Sequence, residues 1–222
     1  NNSQALNWTG FAEDLEISYT GADLGVRGVL AAPGATLRNS TIDIDNTGSP
    51  GYGAGVEATF ATGLGVALDN VTISGDAGAG VRVASADVQV SITRSTITAG
   101  LSAVRASGVS SEVTASQSVL QSTDQATADA TVNILSGATF IGDHVTLRGV
   151  GTAPGVSVVS PSIGPEFDSL ADLKNSIISD VLLAGSSSGD GATVQSTYTL
   201  LPQPFSVLSG GVSITGIGTL LG

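Results

Sequence analysis

Short β-branched stretches that close on an apolar residue recur along the chain. They occupy residues 37–42, 68–73, 92–97, 115–120, 143–147, 173–178 and 196–200, and a fainter member closes on Ile17. The closing residues Ile17, Ile42, Ile73, Ile97, Leu120, Leu147, Ile178 and Leu200 lie 25, 31, 24, 23, 27, 31 and 22 positions apart. A period near 26 with one β-branched strand per step predicts a solenoid that stacks one coil per repeat. A second marker supports the phase, a Gly-Val-like strand start at Val26, Val56, Val81, Val104, Val132 and Val156. A third apolar strand lies between the two, at residues 35–37, 66–68, 90–92, 112–114 and 138–140. Three short strands per coil predict an all-β parallel β-helix of about 7–8 coils in a single domain covering residues 1–222.

Alternation within the closing strand assigns its faces. The closing Ile or Leu points inward. Two residues earlier stand Ser40, Val71, Ser95, Ser118, Val145 and Ser176, small enough for a narrow interior. Between them, facing out, come Thr41, Thr72, Thr96, Val119, Thr146 and Ile177. Ice-binding faces need two regular ranks of Thr. Only Thr96 and Thr98 give the paired spacing, and Asp43, Gln121 and Arg148 break the second rank.

Residues 1–14 are expected to form an N-terminal cap, with Trp8 and Phe11 over the open end, because an uncovered strand edge invites pairing with another chain. Main coils run over residues 15–160. The prolines Pro161 and Pro165 mark a loop, and residues 166–173 have weak helical spacing, so 161–172 is read as loop or short helix. Residues 173–222 return to strands, with Phe205, Leu220 and Leu221 as candidates for the exit cap. Three insertions stand out, at residues 43–55, 121–130 and 157–172. The first two leave the coil just after the closing strand, and the third lies in the other arc.

Composition narrows the function. The formal charge is −12, with seven Lys plus Arg. That opposes nucleic-acid backbones and anionic membrane surfaces, both of which need clustered cations. No apolar run reaches the roughly 20 residues of a membrane-spanning helix. The absence of cysteine removes disulfides and thiolate metal sites, and a single histidine, His144, argues against His/Cys metal chemistry and a Ser-His-Asp triad. The chain opens on Asn1-Asn2-Ser3 without a basic then apolar run, as expected of a processed or excised segment.

With Asn39, Asn70 and Asn175 at the start of the closing strands and Gly-Val starts between them, the repeat resembles the right-handed parallel β-helix of the pectin-lyase-like superfamily. The resemblance implies an asparagine ladder at that corner, interrupted by Arg94, Gln117 and His144. It also implies a bacterial secreted or cell-surface protein. The superfamily holds polysaccharide lyases, glycosidases and non-catalytic surface proteins, so fold alone does not choose among them. The Asn-Thr-Asp, Gly-Asp-Asp, Gly-His-Gly and Arg-Ile-Lys motifs of polygalacturonase-like members do not occur in this chain.

Two constellations could carry chemistry. The residues after the marker valines are Arg27, Glu57, Arg82, Arg105, Asn133 and Ser157. In-phase stacking makes Arg27, Glu57, Arg82 and Arg105 a stripe on one face, and like charges at Arg82 and Arg105 call for a carboxylate or another anion between them. Tyr52, in the first insertion, is a further candidate for that binding surface. The second constellation is Asp43, Asp45 and Asp76, with Asp43 expected near Ser74 and Asp45 near Asp76. Close carboxylates of this kind can bind calcium or act as an acid/base pair. No other cofactor is implied. These features predict an extracellular structural or adhesive module that binds a glycan or surface partner without catalysis. The alternative is a polysaccharide lyase or glycoside hydrolase.

Overall fold

The computed structural model describes residues 4–23, 25–46, 53–59, 64–123, 129–150, 154–160, 167–179, 183–188, 191–201 and 220–221. The chain is a parallel β-solenoid with three sheets, here called A, B and C in the order a coil visits them. Sheet A stacks Gln4–Trp8, Arg27–Ala31, Ala54–Ala58, Ala79–Val83, Ser102–Ser107, Val132–Leu135, Pro154–Val159 and Leu183–Ser188. Sheet B stacks Phe11–Glu13, Thr36–Arg38, Val66–Asp69, Gln89–Thr93, Glu112–Ser116, Thr139–Asp143, Ser169–Lys174 and Ala192–Thr197. Sheet C stacks Glu16–Gly21, Thr41–Asn46, Thr72–Ser74, Thr96–Ala99, Val119–Ser122, Thr146–Arg148, Ile177–Ser179, Leu200–Leu201 and Leu220–Leu221. Every pairing is parallel, so each residue sits on its counterpart from the neighbouring coil. Among the described residues no helix is long and apolar enough to cross a membrane.

The core is a set of stacked ladders. Ile42, Ile73, Ile97, Leu120, Leu147 and Ile178 are in register and buried. Val29, Val56, Val81, Val104, Val132 and Val156 form a second ladder. A third runs through Val66, Val90, Val113, Phe140, Ala171 and Val194. Phe140 is wholly buried where the adjacent column narrows to Ala115 and Gly142, so its ring fills volume those positions leave. A β-carbon on Gly142 would stand 3.0 Å from the Phe140 ring.

The corner between sheets B and C is the most regular part of the molecule. Asp14, Asn39, Asn70, Arg94, Gln117, His144, Asn175 and Tyr198 all adopt positive φ there, between 48° and 56°. Asparagine tolerates this left-handed conformation best among residues with a side chain, which explains Asn39, Asn70 and Asn175. The asparagine ladder is short: Asn70 Nδ2 donates to Asn39 Oδ1 at 2.8 Å, and Asn39 Nδ2 to Glu13 Oε1 at 2.9 Å. The backbone holds the corner where Asn is absent. The N–H of Arg94 donates to Ser116 O, that of Gln117 to Asp143 O and that of His144 to Lys174 O, each one coil on.

The next residue inward does more than save space. Ser40, Ser95, Ser118 and Ser176 each donate their hydroxyl to the carbonyl two residues back, at 2.6–2.8 Å. The same oxygens accept the half-buried N–H of Leu15 and the buried N–H of Val71, Ser95 and Val145 from the preceding coil, at 3.0–3.2 Å. Each hydroxyl therefore satisfies a donor that the turn would otherwise leave without a partner.

Four expectations need correction. Arg27 pairs with Ala54, and Leu30 is the residue opposite Glu57, so the first marker valine is Val29 rather than Val26. In the last repeat Ile177 pairs with Leu200, which puts Leu201, 3% exposed, in the closing ladder and Leu200 on the outside. Residues 169–174 are a strand of sheet B rather than loop or helix, since Ala171 and Leu173 fill the interior on alternation of two. Trp8 and Phe11 belong to the first strands of sheets A and B, and Phe11 is 55% exposed beside Arg38. Phe205 lies outside the described residues. Leu220 and Leu221 add a strand to sheet C.

Candidate functional site on sheet A

The links between strands single out one face. From sheet B to sheet C the chain always crosses in two residues, such as 39–40, 94–95 and 175–176. The links that vary in length both adjoin sheet A. Those entering it include 47–53, 75–78, 123–131 and 149–153, and those leaving it include 59–65, 84–88 and 160–168. The first two insertions thus arise at the entry of sheet A strands and the third at their exit.

Across this face runs an in-register column of Asn7, Leu30, Glu57, Arg82, Arg105, Asn133, Ser157 and Ser186. The structure therefore aligns Glu57, Arg82 and Arg105. Arg27 lies three residues off the column but reaches it by its side chain. Its Nε stands 2.8 Å from Glu57 Oε2, while Arg82 Nη1 stands 3.8 Å from the same oxygen. The Arg27 N–H is not aimed at the carboxylate, so Nε and Oε2 form an ion pair without a hydrogen bond. Glu57 is 4% exposed, and burial of that carboxylate requires its cationic neighbours.

Three arginines lie on this face with one carboxylate, and two of them, Arg27 and Arg82, approach it. Arg82 is 38% exposed and only loosely paired. Arg105, directly beside it, has no ion pair among the described residues. Elsewhere Arg38 and Arg94 both pair with Asp69 and Lys174 pairs with Asp172, while Arg148, exposed on sheet C, has no ion pair among the described residues. Sheet A therefore carries local positive charge on a chain whose net charge is −12.

Sequence reasoning missed the importance of Asn133. It is 6% exposed, its Nδ2 donates to Asp129 Oδ1 at 3.0 Å, and its Oδ1 has no hydrogen-bond partner. Asp129 lies in the variable link four residues earlier, where strand periodicity carries no signal.

The acidic constellation is only partly assembled. Ser74 Oγ donates to Asp43 Oδ1 at 2.7 Å, as the register expectation required. Asp45 pairs with Thr20 on one side. On the other, the strand ends at Ser74 and turns at Gly75, with φ of 106°, so its register does not extend to bring Asp76 opposite Asp45. Among the described residues no group of three or more His, Cys, Asp or Glu side chains is arranged to hold a metal ion. Tyr52 lies outside the described residues.

At the B–C corner, His144 Nδ1 and Asn175 Nδ2 both approach Asp143 Oδ1 at 2.9 Å. The Asn175 hydrogen bond first, then His144 and Lys174, hold the Asp143 carboxyl below the usual aspartate range, against the opposing effect of desolvation. This cluster is exposed and lies on the corner away from sheet A.

Comparison with protein-family models, with curated proteins and with solved structures found no match to this chain.

Proposed function

We propose that the chain is a secreted or cell-surface bacterial β-helix module that binds a glycan or surface partner on sheet A and performs no chemistry on it. The observation that carries this reading is the Arg82–Arg105 pair. Two like charges on neighbouring strands cost free energy unless an anion joins them, and the one nearby carboxylate, Glu57, is already engaged by Arg27. Glycosidic cleavage uses two carboxyl groups on opposite sides of a bond. The described sheet A column offers one, held between guanidinium groups, and this favours recognition over catalysis. Low charge density, abundant Thr, Ser and Gly and the lack of Cys and Met resemble the composition of bacterial surface solenoids.

Membership of the pectin-lyase-like superfamily, with its right-handed coil, belongs to the same proposal. Asn39, Asn70 and Asn175 at left-handed corners support it. The test is incubation of the purified chain with acidic and neutral polysaccharides, with and without calcium, following both retention and product release. Retention without product is the expected result. Product release that is lost in Glu57→Gln or Asp43→Asn would replace the module with a lyase or hydrolase. Absence of retention on every polymer would overturn glycan binding.

A further inference from the structure

We infer that sheet B holds a binding site for a primary ammonium on a short aliphatic stem, the chemistry of a lysine side chain or of a free alkylamine. The inference goes beyond the sheet A reading and does not depend on it. Strands Gln89–Thr93 and Glu112–Ser116 pair so that Gln89 lies beside Glu112 and Ser91 beside Thr114. All four side chains face outward, with Val90 and Val113 buried between them. They stand at the corners of a rectangle of about 4.8 Å, one strand spacing, by about 6.6 Å, two residues of rise. In the preceding coil Gly65 and Ala67 leave the same face low, Ala67 lying beside Ser91. The result is a hollow of about 220 Å³ whose lining includes these six residues.

The head group follows from Glu112. Its side chain is half-buried and has no ion pair among the described residues, where every Arg and Lys pair goes to Glu57, Asp69 or Asp172. Its register neighbours, Gln89 and Thr139, are uncharged. A carboxylate partly withdrawn from water calls for a cation. The other corners supply acceptors. The Thr114 hydroxyl donates to Val90 O at 3.5 Å, which leaves its lone pairs free to accept. Gln89 offers an amide oxygen and Ser91 a second hydroxyl. An ammonium has three donors and no acceptor, so a carboxylate, an amide oxygen and a hydroxyl match it. An anion would face Glu112. A planar guanidinium fork would take the carboxylate alone and leave the corners on the other strand unmatched.

The stem follows from Gly65 and Ala67, which offer no polar side chain. A β-carbon on Gly65 would meet Gln89 only at ordinary contact, 3.5 Å from its carbonyl oxygen, so the space above the glycine is open. Methylenes laid over these two residues leave water without breaking a hydrogen bond. The net charge of −12 draws cations toward the molecule.

Amide NMR titration of the full chain with butylamine, methylamine, butanol and Nα-acetyl-lysine methylamide tests the site. Butylamine and the lysine derivative should shift the amides of Gly65, Gln89, Ser91 and Glu112 saturably, and bind at least tenfold more tightly than butanol. Glu112→Gln should remove that margin, while Glu16→Gln, an equal loss of charge on sheet C, should leave it unchanged. Ala67→Leu should weaken butylamine about tenfold and hardly affect methylamine, which has no stem. If Ala67→Leu does not fold, Gly65→Ala narrows the same space at ordinary contact distance. Binding of butylamine alone assigns a free amine, and binding of the lysine derivative alone assigns a lysine of a partner chain; either keeps the ammonium site. Butanol binding as tightly as butylamine overturns the inference. So do equal losses in Glu112→Gln and Glu16→Gln, which would reduce the effect to overall charge. Retention of glycans on sheet A is a separate measurement that none of these outcomes decides.

Discussion

The γ2 methyl of Ile97 occupies the space where a β-carbon on Gly80 would stand. The same overlap occurs between Gly55 and Ile73, and a β-carbon on Gly28 would lie 2.7 Å from Ile42 Cγ2. In the next two coils the glycine position holds Ala103 and Thr131, and the closing residues there are Leu120 and Leu147, which carry no γ2 methyl on a branched β-carbon. Gly155 and Ile178 then restore the first combination. Glycine thus accompanies isoleucine, and a residue with a β-carbon accompanies leucine, in six coils of one chain.

Gly80→Ala should therefore destabilise the solenoid by about 1–3 kcal/mol through overpacking. Adding Ile97→Leu should recover part of that loss, since the 2.8 Å approach to Ala103 O remains. Denaturant unfolding of the two single variants and the double variant gives the coupling. Strictly additive effects would show that the pairing of residue types carries no packing information.

Ser118→Ala should cost about 1–3 kcal/mol, because it leaves the buried N–H of Ser95 without an acceptor. Hydrogen exchange at Ser95 should accelerate more than exchange at positions several coils away. A variant with wild-type melting would mean that the hydroxyl serves only as a small filler.

Gln117 holds φ of 50° without the local side-chain bonding that favours Asn. Gln117→Asn should raise stability, and Gln117→Ile should lower it by about 1–2 kcal/mol. For a chain of this size each kcal/mol corresponds to a melting shift of about 2–4 °C. Calorimetry on the two variants checks the sign; equal midpoints would remove the conformational argument.

Asp143 should titrate below the ordinary aspartate value of about 3.9. Its main stabiliser is the Asn175 hydrogen bond, assisted by His144 and Lys174. A carboxyl depressed in the folded state contributes stability above its unfolded pKa, and that contribution fades as pH falls through the folded value. Asn175→Leu should raise the Asp143 pKa toward the unfolded value and flatten the stability profile in this acid range. Carbon-detected NMR of the Asp143 carboxyl reads the shift directly; an unchanged titration would remove Asn175 as its cause.

The middle coils were legible in the sequence because parallel stacking places like residues on like, so Val56 through Val156 and Ile42 through Ile178 mark the period by repetition. The ends were less so. Gly25-Val26 and Gly28-Val29 offer the same dipeptide three residues apart, and the pairing of Val29 with Val56, with Gly28 packed against Ile42, identifies the second as the ladder member. Leu200 and Leu201 are likewise adjacent leucines, and the phase is set by Tyr198 occupying the left-handed corner. The serine ladder was visible as small residues, but its hydrogen bonds depend on the preceding coil. The orphan oxygen of Asn133 depends on Asp129, a link residue outside every repeat. Local pattern announces packing, while satisfaction of polar groups is decided between coils.

The two-residue crossing from sheet B to sheet C has a consequence for how such a protein can change over generations. One seam of constant length fixes the phase of each coil, so insertions and deletions at the ends of sheet A strands leave the ladders of neighbouring coils where they were. Heritable variation in length is therefore channelled to the borders of a single face, and the molecule can acquire new specificities there while inheriting its scaffold intact.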